Sequence, residues 1–192
     1  MKLVSVIILL LVCNCAKAQT DGYVIYKWDD LPINVDADTI YGLNLSKMRL
    51  DSVPSNLSKF SNLIFLDLSK NKLKELPTFI GELQKLKELN LAKNKLDKLP
   101  IELCKMKNLE RLILNRNFIG SLPSCIEYTS ALKYIDLWDN PIRSLPESFE
   151  RLENLEEVDL SGIRFSPKFQ ESWLAKMPNV KFVFDEACDC MN

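Results

Sequence analysis

The sequence contains no histidine. That absence removes every nucleophile–base pair built on imidazole, and with it the usual nitrogen ligand of zinc. Glycine is scarce, five in 192 residues, and none falls in the spacing of a phosphate-cradling loop. No apolar stretch reaches the roughly 20 residues of a membrane span. The longest, Leu3 to Val12, has ten. Charge of neither sign prevails, with 25 basic and 26 acidic residues, so the net basic footprint of a nucleic-acid binder is missing. Paired carboxylates could in principle cleave glycosides, but that chemistry needs a cleft. The chain is therefore expected to be no enzyme and to carry no cofactor or metal. Its length and 47% hydrophobic content suit one globular domain.

What the sequence does have is leucine at regular places. Between residues 63 and 154 one pattern recurs four times at a spacing of 23 residues. It reads Leu63, Leu66, Leu68, Asn71, Leu73, Leu76, Pro77, and then Leu86, Leu89, Leu91, Asn94, Leu96, Leu99, Pro100. The third and fourth passes are Leu109, Leu112, Leu114, Asn117, Ile119, Leu122, Pro123 and Leu132, Ile135, Leu137, Asn140, Ile142, Leu145, Pro146. Leu66 and Leu68, two apart, share one face of a strand. Ile80 and Leu83, three apart, suit a short helical return, and proline is favoured where such a turn begins. The pattern L-x-x-L-x-L-x-x-N-x-L resembles the leucine-rich repeat. That resemblance implies an α/β solenoid, a horseshoe arc with a parallel concave sheet and short helical or 3₁₀ convex segments. A lone unit could not bury its own apolar face, so the repeats form one domain by stacking.

At the N-terminus, Lys2, the apolar run and Ala16-Lys17-Ala18 have the layout of a secretory signal with an A-x-A cleavage site. Residues 1–18 are read as that signal, and lipidation at Cys13 or Cys15 is the rival reading. Residues 19–39 are expected to be an N-terminal cap, 40–179 about six repeats, and 180–192 a last strand with a cysteine-containing tail. Cleavage would remove Lys2 and Lys17, leaving 23 basic against 26 acidic residues. The exported chain, secreted, periplasmic or on the cell surface, would keep Cys104, Cys125, Cys188 and Cys190, where disulfides are permitted. Cys104 and Cys125 fall on the returns of adjacent repeats, which makes a bridge between them plausible. The spacing of Cys188 and Cys190 is too short for the usual zinc pairs.

The end repeats depart from the pattern, with Met48 and Ile163 where the others carry asparagine. The resemblance implies that Asn71, Asn94, Asn117 and Asn140 form an inward ladder of hydrogen bonds to the turns. They are scaffold and not site. Strand positions not used by the core define the candidate surface, because equivalent positions stack about 4.8 Å apart. One column reads Gly42, Phe65, Glu88, Arg111, Tyr134, Glu157, Phe182, and the next Asn44, Asp67, Asn90, Ile113, Asp136, Asp159, Phe184. Trp138 stands where serine, alanine or asparagine fills the other repeats. Aromatics with arginine are what protein contact sites use, so Arg111, Ile113, Tyr134 and Trp138, with Phe65, are candidate partner contacts. Asp136 and Asp159 should lie side by side and want a counter-charge, read here as a basic group on a partner. Lys47, Lys70, Lys93 and Arg116 form a basic column beside the asparagines. The expected function is non-catalytic recognition of a protein through the concave face. The rival is a structural or adhesive envelope protein that stacks Trp138, Tyr134 and Phe65 on a carbohydrate or cell-wall polymer.

Overall fold

The structure is a computed structural model and describes residues 19, 20 and 22–185, the first two as backbone only. Cys13, Cys15, Cys188, Cys190 and the expected signal lie outside the described residues. Among the described residues nine short strands form one sheet in sequence order. Strand β1 (Gln19–Thr20) runs antiparallel to β2 (Tyr23–Lys27). From β2 onward every pairing is parallel, through β3 (Gly42–Asn44), β4 (Phe65–Asp67), β5 (Glu88–Asn90), β6 (Arg111–Ile113), β7 (Tyr134–Asp136), β8 (Glu157–Asp159) and β9 (Lys181–Val183).

Three-residue strands suffice because each lies against its neighbour in register. Leu43, Leu66, Leu89, Leu112, Ile135 and Val158 line up at the strand centres and are fully buried. The returns are 3₁₀ segments, Ser55–Lys59, Thr78–Glu82, Ile101–Lys105, Ile126–Tyr128 and Glu147–Arg151. Proline sits just before the segment or two residues earlier, and its carbonyl accepts the first bond of the turn, as from Ile80 N–H to Pro77 at 3.1 Å and from Leu103 N–H to Pro100 at 3.1 Å. The returns bury Leu57, Ile80, Leu103, Ile126 and Phe149 against the strand leucines, giving one continuous core.

The ends are built differently. At the N-terminal end Trp28 packs edge-on against Phe60, with ring centroids 5.9 Å apart, and Tyr26, Leu31 and Val35 close the core. At the other end the return is helix α1 (Pro167–Lys176), with Pro167 in its first turn and Ser166 accepting from Phe169 N–H at 3.3 Å. Trp173 is buried edge-on against Phe149 at 5.8 Å, and Phe165 stacks on Phe169 at 3.9 Å. Leu174, next to Trp173 in sequence, is exposed, because the helix turns it outward.

The helix lengthens the last unit by one residue, where the columns read from the sequence allowed two. Lys181, not Phe182, pairs with Glu157, and Val183, not Phe184, pairs with Asp159. Phe182 and Phe184 therefore pack against the core, with parallel rings 5.7 Å apart.

Candidate functional site

The open face of the sheet is set by strand alternation. With the central residue of each strand in the core, its two flanking residues face away from it. Phe65, Glu88, Arg111, Tyr134 and Glu157 fall in one row, and Asn44, Asp67, Asn90, Ile113, Asp136 and Asp159 in the next.

The second row has a structural task that the sequence reading missed. Where the residue is Asn or Asp, its side-chain oxygen accepts from the backbone N–H two positions on. Asn44 takes Ser46 at 2.8 Å, Asp67 takes Ser69 at 2.8 Å, Asn90 takes Ala92 at 3.0 Å, Asp136 takes Trp138 at 3.0 Å and Asp159 takes Ser161 at 2.9 Å. Each bond closes the end of a strand and starts the turn. The signal was there to be found: an Asn or Asp at this place in five of six units, followed two places on by Ser or Ala in four of them. Ile113 alone breaks the row, and the Asn115 side chain donates to Asp136 instead.

Asp136 and Asp159 do pair in register. Both Asp136 oxygens and Oδ1 of Asp159 are engaged from within the chain, the latter also accepting from Ser161 Oγ at 2.5 Å. Asp136 is only 9% exposed, and burial raises its pKa above the usual carboxylate range. The hydrogen bonds from Asn115 and Trp138 oppose that rise, and the nearby Asp159 adds to it. Tyr134 is pushed up as well, first by burial and then by the charges of Asp136 and Asp159.

Two arginine–aromatic pairs occupy the neighbouring positions. The Arg111 guanidinium lies over the Tyr134 ring, 4.3 Å from its centroid, with Nε 3.6 Å from a Glu88 carboxylate oxygen. One turn further along, the Arg116 guanidinium lies 4.4 Å over the Trp138 ring, with Nε 3.6 Å from Asp139. Ile113 is half-buried between these pairs. Arg111, Ile113, Tyr134, Asp136 and Trp138 thus come together across β6 and β7. Asp159 joins them from β8, while Phe65 stands apart on β4, with Glu88 of β5 between it and Arg111.

Beneath this face the four asparagines are buried and bonded alike. The Asn94 amide nitrogen donates to the carbonyls of Leu68 (3.0 Å) and Leu91 (2.9 Å), and its oxygen accepts from Leu73 N–H at 3.1 Å. Asn71, Asn117 and Asn140 repeat the arrangement one unit before, one after and two after. On the convex side Cys104 and Cys125 form a disulfide between adjacent returns, with Cα atoms 5.8 Å apart. Among the described residues no group of three or more Cys, Asp or Glu side chains is placed to hold a metal ion, and no helix is long and apolar enough to cross a membrane.

Residues 107–164 match the family model described as leucine rich repeat, and residues 62–83 and 85–106 match a second model of the same description. Among solved structures, a leucine-rich repeat protein of Leptospira interrogans is similar, at 34% identity and a TM-score of 0.68, over 75% of this chain and 36% of that one. An internalin of Listeria monocytogenes shares the fold, at 21% identity and a TM-score of 0.66, over 78% of this chain and 42% of that one. The chain thus spans less than half the length of either protein. No curated protein matches the sequence.

Proposed function

Because the chain belongs to the leucine-rich repeat family, whose stacked strands leave one sheet face open, we propose that it is an exported, non-catalytic recognition module that binds a protein through its concave face. The observation that carries this reading is the pair of arginine–aromatic stacks around Ile113, Arg111 on Tyr134 and Arg116 on Trp138. Tyr, Trp and Arg are the residues that dominate protein contact energies. Here their side chains are held in place before any partner arrives, which lowers the ordering cost of binding. Asp136 and Asp159 line the same patch and favour a basic group on the partner. Export is supported by the signal-like residues 1–18 and by the Cys104–Cys125 bridge, since such bridges persist in oxidising compartments.

The carbohydrate reading has less support. Stacking on a sugar needs an open ring face, and the guanidiniums already cover one face of Tyr134 and of Trp138. Affinity capture from an envelope extract tests the choice, using wild type beside Trp138→Ala/Tyr134→Ala and Ile113→Asp variants shown by circular dichroism to be folded. A protein captured by wild type and lost by both variants is expected. Equal capture by all three would remove the patch from the function, and capture of glycan alone that is lost with Trp138→Ala/Tyr134→Ala would favour the rival.

A further inference from the structure

A second surface runs along the edge of the sheet where the strands end. The residue just before each turn asparagine, or its equivalent, has left-handed backbone: Lys47 (φ 63°), Lys70 (59°), Lys93 (57°), Arg116 (56°), Asp139 (56°) and Gly162 (73°). Two positions on, a parallel row reads Arg49, Lys72, Lys95, Phe118, Pro141. The first three repeats therefore place six cations on one edge.

The backbone sets their spacing. Lys70 N–H donates to Ala92 O and Lys93 N–H to Asn115 O, each at 2.8 Å, while Lys72 and Lys95 N–H donate backward to Leu50 O and Leu73 O, also at 2.8 Å. Each row thus advances by the strand spacing of about 4.8 Å, a step comparable to the length of one sugar ring. The six side chains have no acidic partner within salt-bridge distance among the described residues, whereas Arg116, the next in line, is paired with Asp139. The acids of the same turns, Asp51, Glu75 and Asp97, lie beyond the half-buried Leu50 and the buried Leu73 and Leu96, and form no ion pair with the rows.

Turn geometry does not call for lysine here. Left-handed backbone suits Gly, Asn or Asp, and Asp139 and Gly162 fill the place in later repeats. The turn therefore accepts other residues, and the charge at this edge varies along the repeats while the backbone stays the same.

We propose that Lys47, Arg49, Lys70, Lys72, Lys93 and Lys95 form a rail for a linear acidic polysaccharide, separate from the protein-binding patch. Five of the six are lysines, mobile point charges that meet single carboxylates or sulfates without demanding the planar geometry an arginine fork selects. None of the six is aromatic and the second row continues with a single exposed ring, Phe118, so the run of successive aromatics that makes a single-stranded nucleic-acid stacking platform is missing. The rail is also narrow and flanked by acids, unlike the broad cationic face that suits a lipid surface. Its contacts are exposed and screened by salt, so binding is multivalent and strongly salt-dependent.

The test is binding of the full chain to polygalacturonate and to dextran sulfate at low salt, with neutral dextran, oligothymidylate and phosphatidylglycerol vesicles alongside. Lys70→Glu/Lys93→Glu, and independently Lys72→Glu/Lys95→Glu at positions of ordinary backbone, should each weaken binding to the acidic polysaccharides at least tenfold. The same charge change on the convex side, Lys105→Glu/Lys107→Glu, should weaken it less than threefold. Equal losses in rail and convex variants, no binding to either acidic polysaccharide, or tighter binding to the vesicles or the oligonucleotide would each overturn the assignment.

Discussion

A Cβ atom built on Gly162 would lie 2.9 Å from Nε1 of the Trp138 indole, closer than such atoms approach. The aromatic that marks the candidate patch is thus seated against a glycine one repeat on, while Arg116 of the preceding repeat covers its ring. Gly162 is also left-handed, with φ 73°. Gly162→Ala should therefore cost about 1–3 kcal/mol in strain and displace the indole. Chemical denaturation would report the first effect. A change in tryptophan emission that is lost in a Trp138→Phe background would report the second. An unchanged spectrum would mean that the glycine serves the turn alone.

Asn94 sits in the middle of the ladder, with three bonds to the backbone of two repeats. Asn94→Ala strands the Leu73 N–H in the core and leaves the Leu68 and Leu91 carbonyls without this donor. Each buried group left unsatisfied costs about 1–3 kcal/mol, so a fall in unfolding free energy of at least about 2 kcal/mol is expected. Alanine at exposed Lys95, next in sequence, should change stability by less than about 0.5 kcal/mol.

The two acids with displaced pKa values should respond to pH in opposite senses. Asp136 titrates above its unfolded value, chiefly because it is buried. Its contribution to stability is present in full below the unfolded pKa and is lost as pH rises through the folded one. Asp136→Asn keeps an acceptor for Trp138 N–H and removes the buried charge. The variant should match or exceed wild-type Tm at pH 7, and the difference should vanish once the wild-type acid is protonated. Glu110 lies between Lys133 (2.8 Å) and Lys87 (2.9 Å), whose hydrogen bonds and charges lower its pKa. Its contribution is present at neutral pH and is lost as pH falls through the folded value. Glu110→Gln should cost no more than about 1 kcal/mol at pH 7 and progressively less as pH falls through the folded value. Thermal melts of both variants across pH 3–8 check both signs.

The repeat was legible because its chemistry is periodic: a leucine that must enter the core every 23 residues fixes strand, turn and return together. The column assignments held as long as that spacing held. They slipped at Phe182 and Phe184 because the columns there allowed two extra residues for the longer last return, where α1 adds only one. The turn-closing role of the acids on the open face was missed for a different reason. An aspartate facing solvent beside another aspartate looks like a site in sequence, yet Asp136 and Asp159 each hold a backbone N–H of their own turn. Only the regular Asn or Asp at that place in Asn44, Asp67 and Asn90 could have shown it. The stacking of Arg116 on Trp138 was out of reach, since it depends on the left-handed turn that tilts the arginine over the next repeat.

The disulfide makes the last prediction. Cys104 is buried and Cys125 partly exposed, and they link adjacent returns across a sequence separation of 21. A loop of that size restricts the unfolded chain by about 3 kcal/mol in the chain-entropy account. The folded chain gains little from the bridge, because Leu103 and Ile126 already bury the same two returns in the core. Cys104→Ser/Cys125→Ser should therefore keep the native circular dichroism spectrum but unfold with about 3 kcal/mol less free energy. Reduction of wild type should reproduce the shift, and the variant should not respond to reductant. A variant as stable as oxidised wild type would show that the repeats alone fix the convex side.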